Sequence, residues 1–289
     1  MSGSGMGYAA PRALDEALAL LAAEAGPAVA GGTDLYPSLG EQPVPPGLVD
    51  LTGLPELRGI AREGGFWRIG AGESWAAIAA LPFPPGFEGL REAARVVGGA
   101  QIQNAGTIGG NLCTASPAAD GVPPLLTLGA EVEIAGPGGR RRLPLDEFLL
   151  GPRRTALRAG EILLAILIPE PPSGVGAAFE KLGARTHLVI SIVSAAALVS
   201  PGPGGRIAEA RIAIGAASPV ARRLTALEAR LAGADPSALN APGFVTSTDV
   251  APLAPIDDVR ATAAYRREAA AELARRALLS AARRAGLAP

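Results

Sequence analysis

Apolar residues recur at spacings of three and four at Leu14, Leu18 and Leu21, and Gly26 ends the run, so the chain is predicted to open with an amphipathic helix. Short strands are predicted at 28–30, directly ahead of Gly31-Gly32, at 48–51, and at 66–71 where β formers accumulate; GEQPVPPG (40–47) reads as a loop. Two helices follow, one over 74–81 with Ser74 as its N-cap and one over 87–97 stopped by Gly98-Gly99. After the glycine segment GTIGGN (106–111) come a short buried helix ending near Leu128, a hairpin of 131–135 and 140–143 around GPGG, and a strand over 162–168.

PEPPSG (169–174) reads as a boundary, and the order of elements changes beyond it. Strands over 175–182, 189–199 and 206–214 come first, and two helices close the chain. Ser218 is the expected cap of the first, with Pro219 at its first position and Val220, Leu224, Leu227 and Leu231 on one face. The second is expected from Asp257-Asp258 to about Arg284. A small α/β region followed by strands and then helices gives an α+β fold class.

Composition removes several kinds of chemistry. The 289 residues suit about two domains, and 26 Lys plus Arg against 27 Asp plus Glu leaves no electrostatic footprint for nucleic acid. The longest apolar stretch, 188–199, contains Ser191 and Ser194 and falls short of the roughly 18–20 residues a bilayer needs, so it reads as buried strand and no membrane span is expected. The N-terminus lacks a basic segment followed by an apolar run, which makes a cytoplasmic location the expectation. A single Cys (Cys113) and a single His (His187) cannot build a zinc site or an iron–sulfur cluster. The only Lys, Lys181, follows Glu180, so no GK[ST] phosphate loop exists; G-x-G-x-x-G fits only loosely at 5–10, with no strand ahead of it.

Glycine pairs are uninformative here, since 38 Gly in 289 positions give roughly five adjacent pairs by chance and six occur. Amides are more telling: Asn and Gln are scarce, yet Gln101, Gln103, Asn104 and Asn111 cluster beside GTIGGN. Either Asn104 and Asn111 satisfy turn backbone, or Gly106, Thr107, Ile108, Gly109, Gly110 and Asn111 form a turn whose consecutive N–H groups cradle a pyrophosphate. Ser116-Pro117, read as an N-cap and first helical residue, would aim a helix N-terminus at the same place. Gly31-Gly32-Thr33-Asp34 is a plausible second nest. Asp34 and Asp120 would repel phosphate, so each either accepts from a sugar hydroxyl or caps local backbone.

With these residues in view, AVAGGTDLYP (28–37) and NAGTIGGNLCTASPAAD (104–120) resemble the two flavin-binding signatures of the FAD-binding medium subunit of molybdenum hydroxylases. The resemblance continues through GEILLAILIP (160–169), FEKLGARTHLVISIV (179–193) and APIDDVRATAAYRREAAAELARRAL (254–278), covering essentially the whole chain. It implies a two-part α/β FAD-binding region of PCMH type, 1–55 and 56–171, and a C-terminal domain, 172–289, with a three-stranded antiparallel sheet and helices. By that likeness Ala28, Val29, Ala30, Gly31, Gly32, Thr33, Asp34, Leu35 and Tyr36, with Thr107, Ile108, Gly109, Gly110 and Asn111, hold the diphosphate and its neighbours. Asp120 falls near the ribose or adenine side, and Val97, Leu163 and Lys181 fall where flavin contacts lie. Lys181 read alone is equally a solvated strand-edge charge.

The chain departs from the family at Leu188-Val189, where many members carry an acidic or aromatic residue near the flavin. His187, far along the chain from both glycine segments, is expected to pack or hydrogen-bond rather than attach flavin covalently. The implied role is noncovalent FAD binding and electron transfer, with no catalytic acid or base and no metal on this chain. The molybdenum cofactor and [2Fe-2S] clusters would belong to large and small partner subunits in a dimer of heterotrimers. A self-contained flavin oxidoreductase and a non-enzymatic nucleotide-binding module are the alternatives.

Overall fold

The computed structural model describes residues 7–23 and 26–289; the loose glycine match therefore begins outside the described residues at Gly5 and Met6. The first layer is a small parallel sheet of β1 (Tyr8–Ala9), β2 (Ala28–Val29) and β3 (Leu48–Asp50), in the order β1-β3-β2. Helix α1 (Leu14–Ala22) connects β1 to β2 and buries Leu14 and Ala17, while α2 (Leu35–Leu39) follows β2. Parallel pairing of Val29 with Asp50 fixes the end of β2, so the chain leaves the sheet at Ala30 and turns at Gly32, whose φ of 67° is left-handed.

A five-stranded antiparallel sheet follows, in the order β4-β5-β10-β6-β7. It contains β4 (Ile60–Glu63), β5 (Phe66–Gly70), β6 (Glu131–Gly136), β7 (Gly139–Pro144) and β10 (Ile162–Pro169), with the small hairpin β8 (Leu149–Gly151) and β9 (Arg154–Thr155) beside it. β10 is central and buried along nearly its whole length, which is why ILLAILI is apolar without alternation. Between β5 and β6 run α3 (Trp75–Ala80), α4 (Glu88–Val96), α5 (Ala100–Ala105), α6 (Ile108–Thr114) and α7 (Val122–Thr127), with the short α8 (Leu145–Phe148) after β7. Ser74 caps α3 as expected, its Oγ accepting from the Ala77 N–H at 3.2 Å.

The C-terminal sheet is antiparallel in the order β11-β12-β13-β14. β11 (Gly176–Leu182), β12 (Val193–Pro201) and β13 (Ile207–Gly215) are the three expected strands, and the two-residue β14 (Arg222–Arg223) makes the sheet four-stranded rather than three-stranded. Along β12, Val193, Ala195, Ala197 and Val199 join the core under α10 (Ala263–Arg284), while Ala196 packs with Phe179 and with Ala93 of α4 on the opposite face. Both faces are covered, so this strand too reads as a continuous apolar run.

Four boundaries differ from the sequence reading, each because a side chain engages the backbone differently. Residues 189–192 are not strand: Leu188 has a left-handed φ of 52°, and Arg185 donates to its carbonyl, closing a loop ahead of β12. Ser218 does not cap a helix, since its hydroxyl donates to the Ala217 carbonyl (2.7 Å) and accepts from the Ala254 N–H (3.0 Å); α9 spans only Thr225–Leu231. Asp258 accepts from the N–H groups of Arg260 and Ala261, which defers α10 to its true cap, Thr262. Ser116-Pro117 begins a turn rather than a helix: the Ser116 Oγ accepts from the Ala118 N–H at 3.3 Å, and the Ala119 N–H donates to the Ser116 carbonyl at 3.0 Å.

Candidate functional site

The two glycine segments face each other across a groove, and they are built differently. Thr107, expected within a loop nest, is the N-cap of α6: its Oγ1 accepts from the Gly110 N–H at 3.0 Å. The Ile108 and Gly109 N–H groups donate to the carbonyls of Glu73 and Ala71, each at 2.9 Å, and those of Gly106 and Asn111 to the carbonyls of Ile102 and Thr107, so five of the six expected phosphate donors are already engaged within the protein. Thr107→Ala is expected to lower stability by about 1 kcal/mol through loss of this cap. A thermal melt of the variant should fall by about 2–4 °C, and Thr107→Ser should restore it.

The first segment keeps its donors. Among the described residues, the N–H groups of Gly31, Gly32, Thr33, Asp34 and Leu35 have no protein acceptor, and the left-handed Gly32 turns successive N–H groups toward one concavity. Gly31 lies so close to the Ala105 carbonyl and the Gly106 Cα that an added Cβ would overlap them, which sets the closeness of the two segments. Across the gap, a Cβ on Gly109 would fall 2.6 Å from the Ala71 carbonyl oxygen, whereas one on Gly110 would meet only the Thr107 Oγ1, at 2.9 Å. Gly109 therefore packs the helix onto the strand end, and Gly110 opens to the groove.

The groove has three adjoining parts. A central cavity of about 490 Å³ is lined by Gly31, Gly32, Thr33, Asp34, Gly110 and Asn111 together with Arg153. At one end it meets an apolar cavity of about 160 Å³ whose walls include Val29, Leu51, Leu57 and Leu163; Ala28, Val29, Ala30 and Thr107 border both. At the other end lies a cavity of about 320 Å³ lined by Val97, Gly99, Asp120, Lys181, Leu188 and Ile190. The central and far cavities fall within the range of roughly 300–1,000 Å³ for small-molecule sites, and the apolar one is about half its lower bound. Two expected residues lie outside the groove walls: Ile108 is fully buried in the core, and Tyr36 is exposed with its ring against Gly32.

Lys181, at the end of β11, is neither solvated nor free. Its Nζ donates to Asp120 Oδ2 at 2.6 Å and to the Val96 carbonyl at 3.3 Å, while the Ser191 hydroxyl donates to Asp120 Oδ1 at 2.5 Å. Both side chains of the ion pair are close to nine-tenths buried. Burial raises the Asp120 carboxyl above its ordinary value, and Lys181 and Ser191 oppose that rise by favouring the charged form. Asp120 thus shares its end of the groove with Val97 and Lys181, opposite Leu163, and it caps no helix.

Asp34 does not cap α2 through its side chain; its carboxylate instead takes two bonds from the Arg153 guanidinium, at 2.9 and 3.3 Å. Arg153 was not marked by any spacing in the sequence, and neither was Cys113, which opens onto the groove from α6. Cys113 is exposed to the groove, and the protein packed beside it pushes its thiol upward, favouring the neutral form. His187 is exposed and has no hydrogen bond among the described residues, contrary to the packing or bonding role expected of it. Asn111 Oδ1 is buried without a protein partner, a polar atom that a ligand in the central cavity can satisfy. Together with the cradle that Cβ atoms would fill, this fits a dinucleotide cofactor bearing a diphosphate.

Residues 4–171 match the family described as the FAD binding domain in molybdopterin dehydrogenase, and residues 177–281 match the CO dehydrogenase flavoprotein C-terminal domain. The chain is 32% identical to the carbon monoxide dehydrogenase medium chain of Hydrogenophaga pseudoflava, over 94% of this chain and 95% of that one. Its fold superposes with a TM-score of 0.89 on a chain of the reconstituted CO dehydrogenase from Oligotropha carboxidovorans, at 32% identity, covering 98% of this chain and 100% of the other. A chain of quinoline 2-oxidoreductase from Pseudomonas putida 86 gives 0.85 at 30% identity, with 99% of both covered. No described helix is long and apolar enough to cross a membrane. A groove with a backbone nest, a Cβ-free floor and a two-part fold that matches end to end make this chain a member of the FAD-binding medium-subunit family of molybdenum hydroxylases, a FAD-dependent oxidoreductase subunit.

Proposed function

We propose that this chain is the electron-transfer subunit of a multi-subunit molybdenum hydroxylase. In this reading electrons pass from the [2Fe-2S] clusters of a small partner subunit, through noncovalent FAD, to an external acceptor. Substrate oxidation takes place on a large molybdenum-binding partner, in a dimer of heterotrimers in the cytoplasm. The chain divides into 1–55, 56–171 and 172–289, with FAD held between the first two parts. The flavin supplies the redox chemistry when bound; this chain binds it, orients it and sets its surroundings. Residues 28–35 and Thr107, Gly110 and Asn111 hold the diphosphate and neighbouring groups, Leu163 borders the apolar end, and Val97 and Lys181 border the far end.

The observation that carries this reading is the state of the ionisable groups along the groove. Asp34 is paired with Arg153, Asp120 with Lys181, and Glu161 with Arg141, while Arg58 donates to the carbonyls of Gly72 and Thr52. A general acid or base needs a group free to exchange its proton with substrate, and these groups are each committed to a partner. Such a lining suits binding and positioning.

The expected result is that the purified chain carries FAD, shows flavin absorbance, and releases FAD intact on acid or heat treatment. In isolation it should turn over no aldehyde or heterocyclic substrate. A colourless protein that takes up no FAD would sink the cofactor reading, and substrate turnover without partners would replace the relay by a self-contained oxidoreductase.

A further inference from the structure

Among the described residues, the central cavity has one cationic side chain in its walls, Arg153, and its neutral donors include the N–H groups of residues 31–35 and the side chains of Thr33, Thr107 and Asn111. Arg153 reaches the cavity from the tip of the β8–β9 hairpin. Its φ of 55° is left-handed, an uncommon conformation for a residue with a Cβ. The Arg153 N–H donates to the Ala115 carbonyl at 3.1 Å, and Ala115 is itself the left-handed C-cap of α6. One residue therefore ties the end of the helix that starts at Thr107, through its backbone, to the first glycine segment, through its guanidinium on Asp34.

This link adds little to stability. The two side chains are 65% and 46% exposed, and exposed ion pairs contribute about 0–1 kcal/mol. What the pair fixes is direction, because the guanidinium is a planar fork whose donors match oxyanions two at a time, and Asp34 holds it over the mouth of the cavity. A diphosphate set against the N–H groups of residues 31–35 places its charge at the position Arg153 already overlooks. The same arrangement resolves the conflict in the sequence, where Asp34 stood beside a phosphate cradle with no visible counter-charge.

We propose that Arg153 is the counter-charge and strap for the cofactor diphosphate, with Asp34 as its positioning residue. This rests on the FAD reading above. The test uses the full chain loaded with FAD, with release followed by the rise in flavin fluorescence at low and at high ionic strength. Arg153→Ala should release FAD about tenfold faster than wild type at low salt, and the gap should narrow at high salt because screening removes a charge effect. Arg153→Lys, which keeps the charge and loses the fork, should fall between the two and keep the salt dependence. Asp34→Asn should also speed release, by less. Release from Arg153→Ala at the wild-type rate, or a loss of equal size at both salt concentrations, overturns the strap and leaves FAD binding standing. A wild-type chain that holds no FAD overturns the cofactor reading and the strap with it.

Discussion

Gly110→Leu is expected to abolish FAD binding while changing the stability of the flavin-free protein by less than about 1 kcal/mol, because the gain in helix preference offsets a weakened Thr107 cap. A Cβ at Gly110 falls 2.9 Å from the Thr107 Oγ1 and meets nothing else within 4 Å, so the threonine side chain must shift and its cap weakens, while the rest of a leucine projects into the central cavity. Gly110 also lies inside α6, where replacing Gly by Leu favours the helix by somewhat under about 1 kcal/mol. The variant should therefore elute colourless from gel filtration after incubation with FAD. Its melting temperature should stay within a few degrees of flavin-free wild type, although it forfeits the stabilisation that bound ligand confers. Gly31→Ala should behave differently, losing flavin and stability together, because its Cβ collides with backbone at Ala105 and Gly106 that has no side-chain freedom to yield. Gly138→Ala, with open space around it, is the control. Retention of FAD by Gly110→Leu would show that the cofactor does not pass between the two segments.

Those contrasts mark how far sequence alone reaches. The capped α3 was legible from Ser74, and β10 and the long C-terminal strands from short runs rich in apolar and β-branched residues between Gly/Pro breaks, although the start of β12 was not. The late starts of α9 and α10 were not legible, because Ser218 and Asp258 find partners on other segments or in an Asx turn instead of capping a helix in place. At the site, residue types singled out both glycine segments but not which of their N–H groups are left free. Whether an N–H is free depends on which carbonyl faces it, and the carbonyls of Ala71 and Glu73 that engage α6 lie more than thirty residues upstream. Arg153 illustrates the limit most sharply: its partner Asp34 is 119 residues away, and only the topology that sets the β8–β9 hairpin beside the first sheet brings the two together. Ile108 and Tyr36 are the converse, motif members whose side chains point to the core and to solvent.

Lys181→Met is expected to destabilise the folded chain by about 3–5 kcal/mol near neutral pH, since it leaves the Asp120 carboxylate buried with no opposite charge. For a chain of this length that corresponds to a fall in melting temperature on the order of 10 °C. The pH dependence identifies the cause. Burial already raises the Asp120 carboxyl in the wild type, and without Lys181 the rise is larger. A carboxyl whose folded value lies above its unfolded value favours folding most at pH below the unfolded value, and that contribution is lost as pH rises through the folded value. The deficit of Lys181→Met relative to wild type should therefore be greatest at neutral pH and should shrink as pH falls through the raised Asp120 value, where the carboxyl takes up a proton and no longer needs a partner. Asp120→Asn combined with Lys181→Met should regain most of the loss at neutral pH, because the amide is uncharged and can still accept from the Ser191 hydroxyl. A deficit that stays constant with pH, or a double variant no better than the single, would mean that Lys181 acts through packing and its bond to the Val96 carbonyl, and that the buried charge pair at the far end of the groove is not what holds β11 against the turn that carries Asp120.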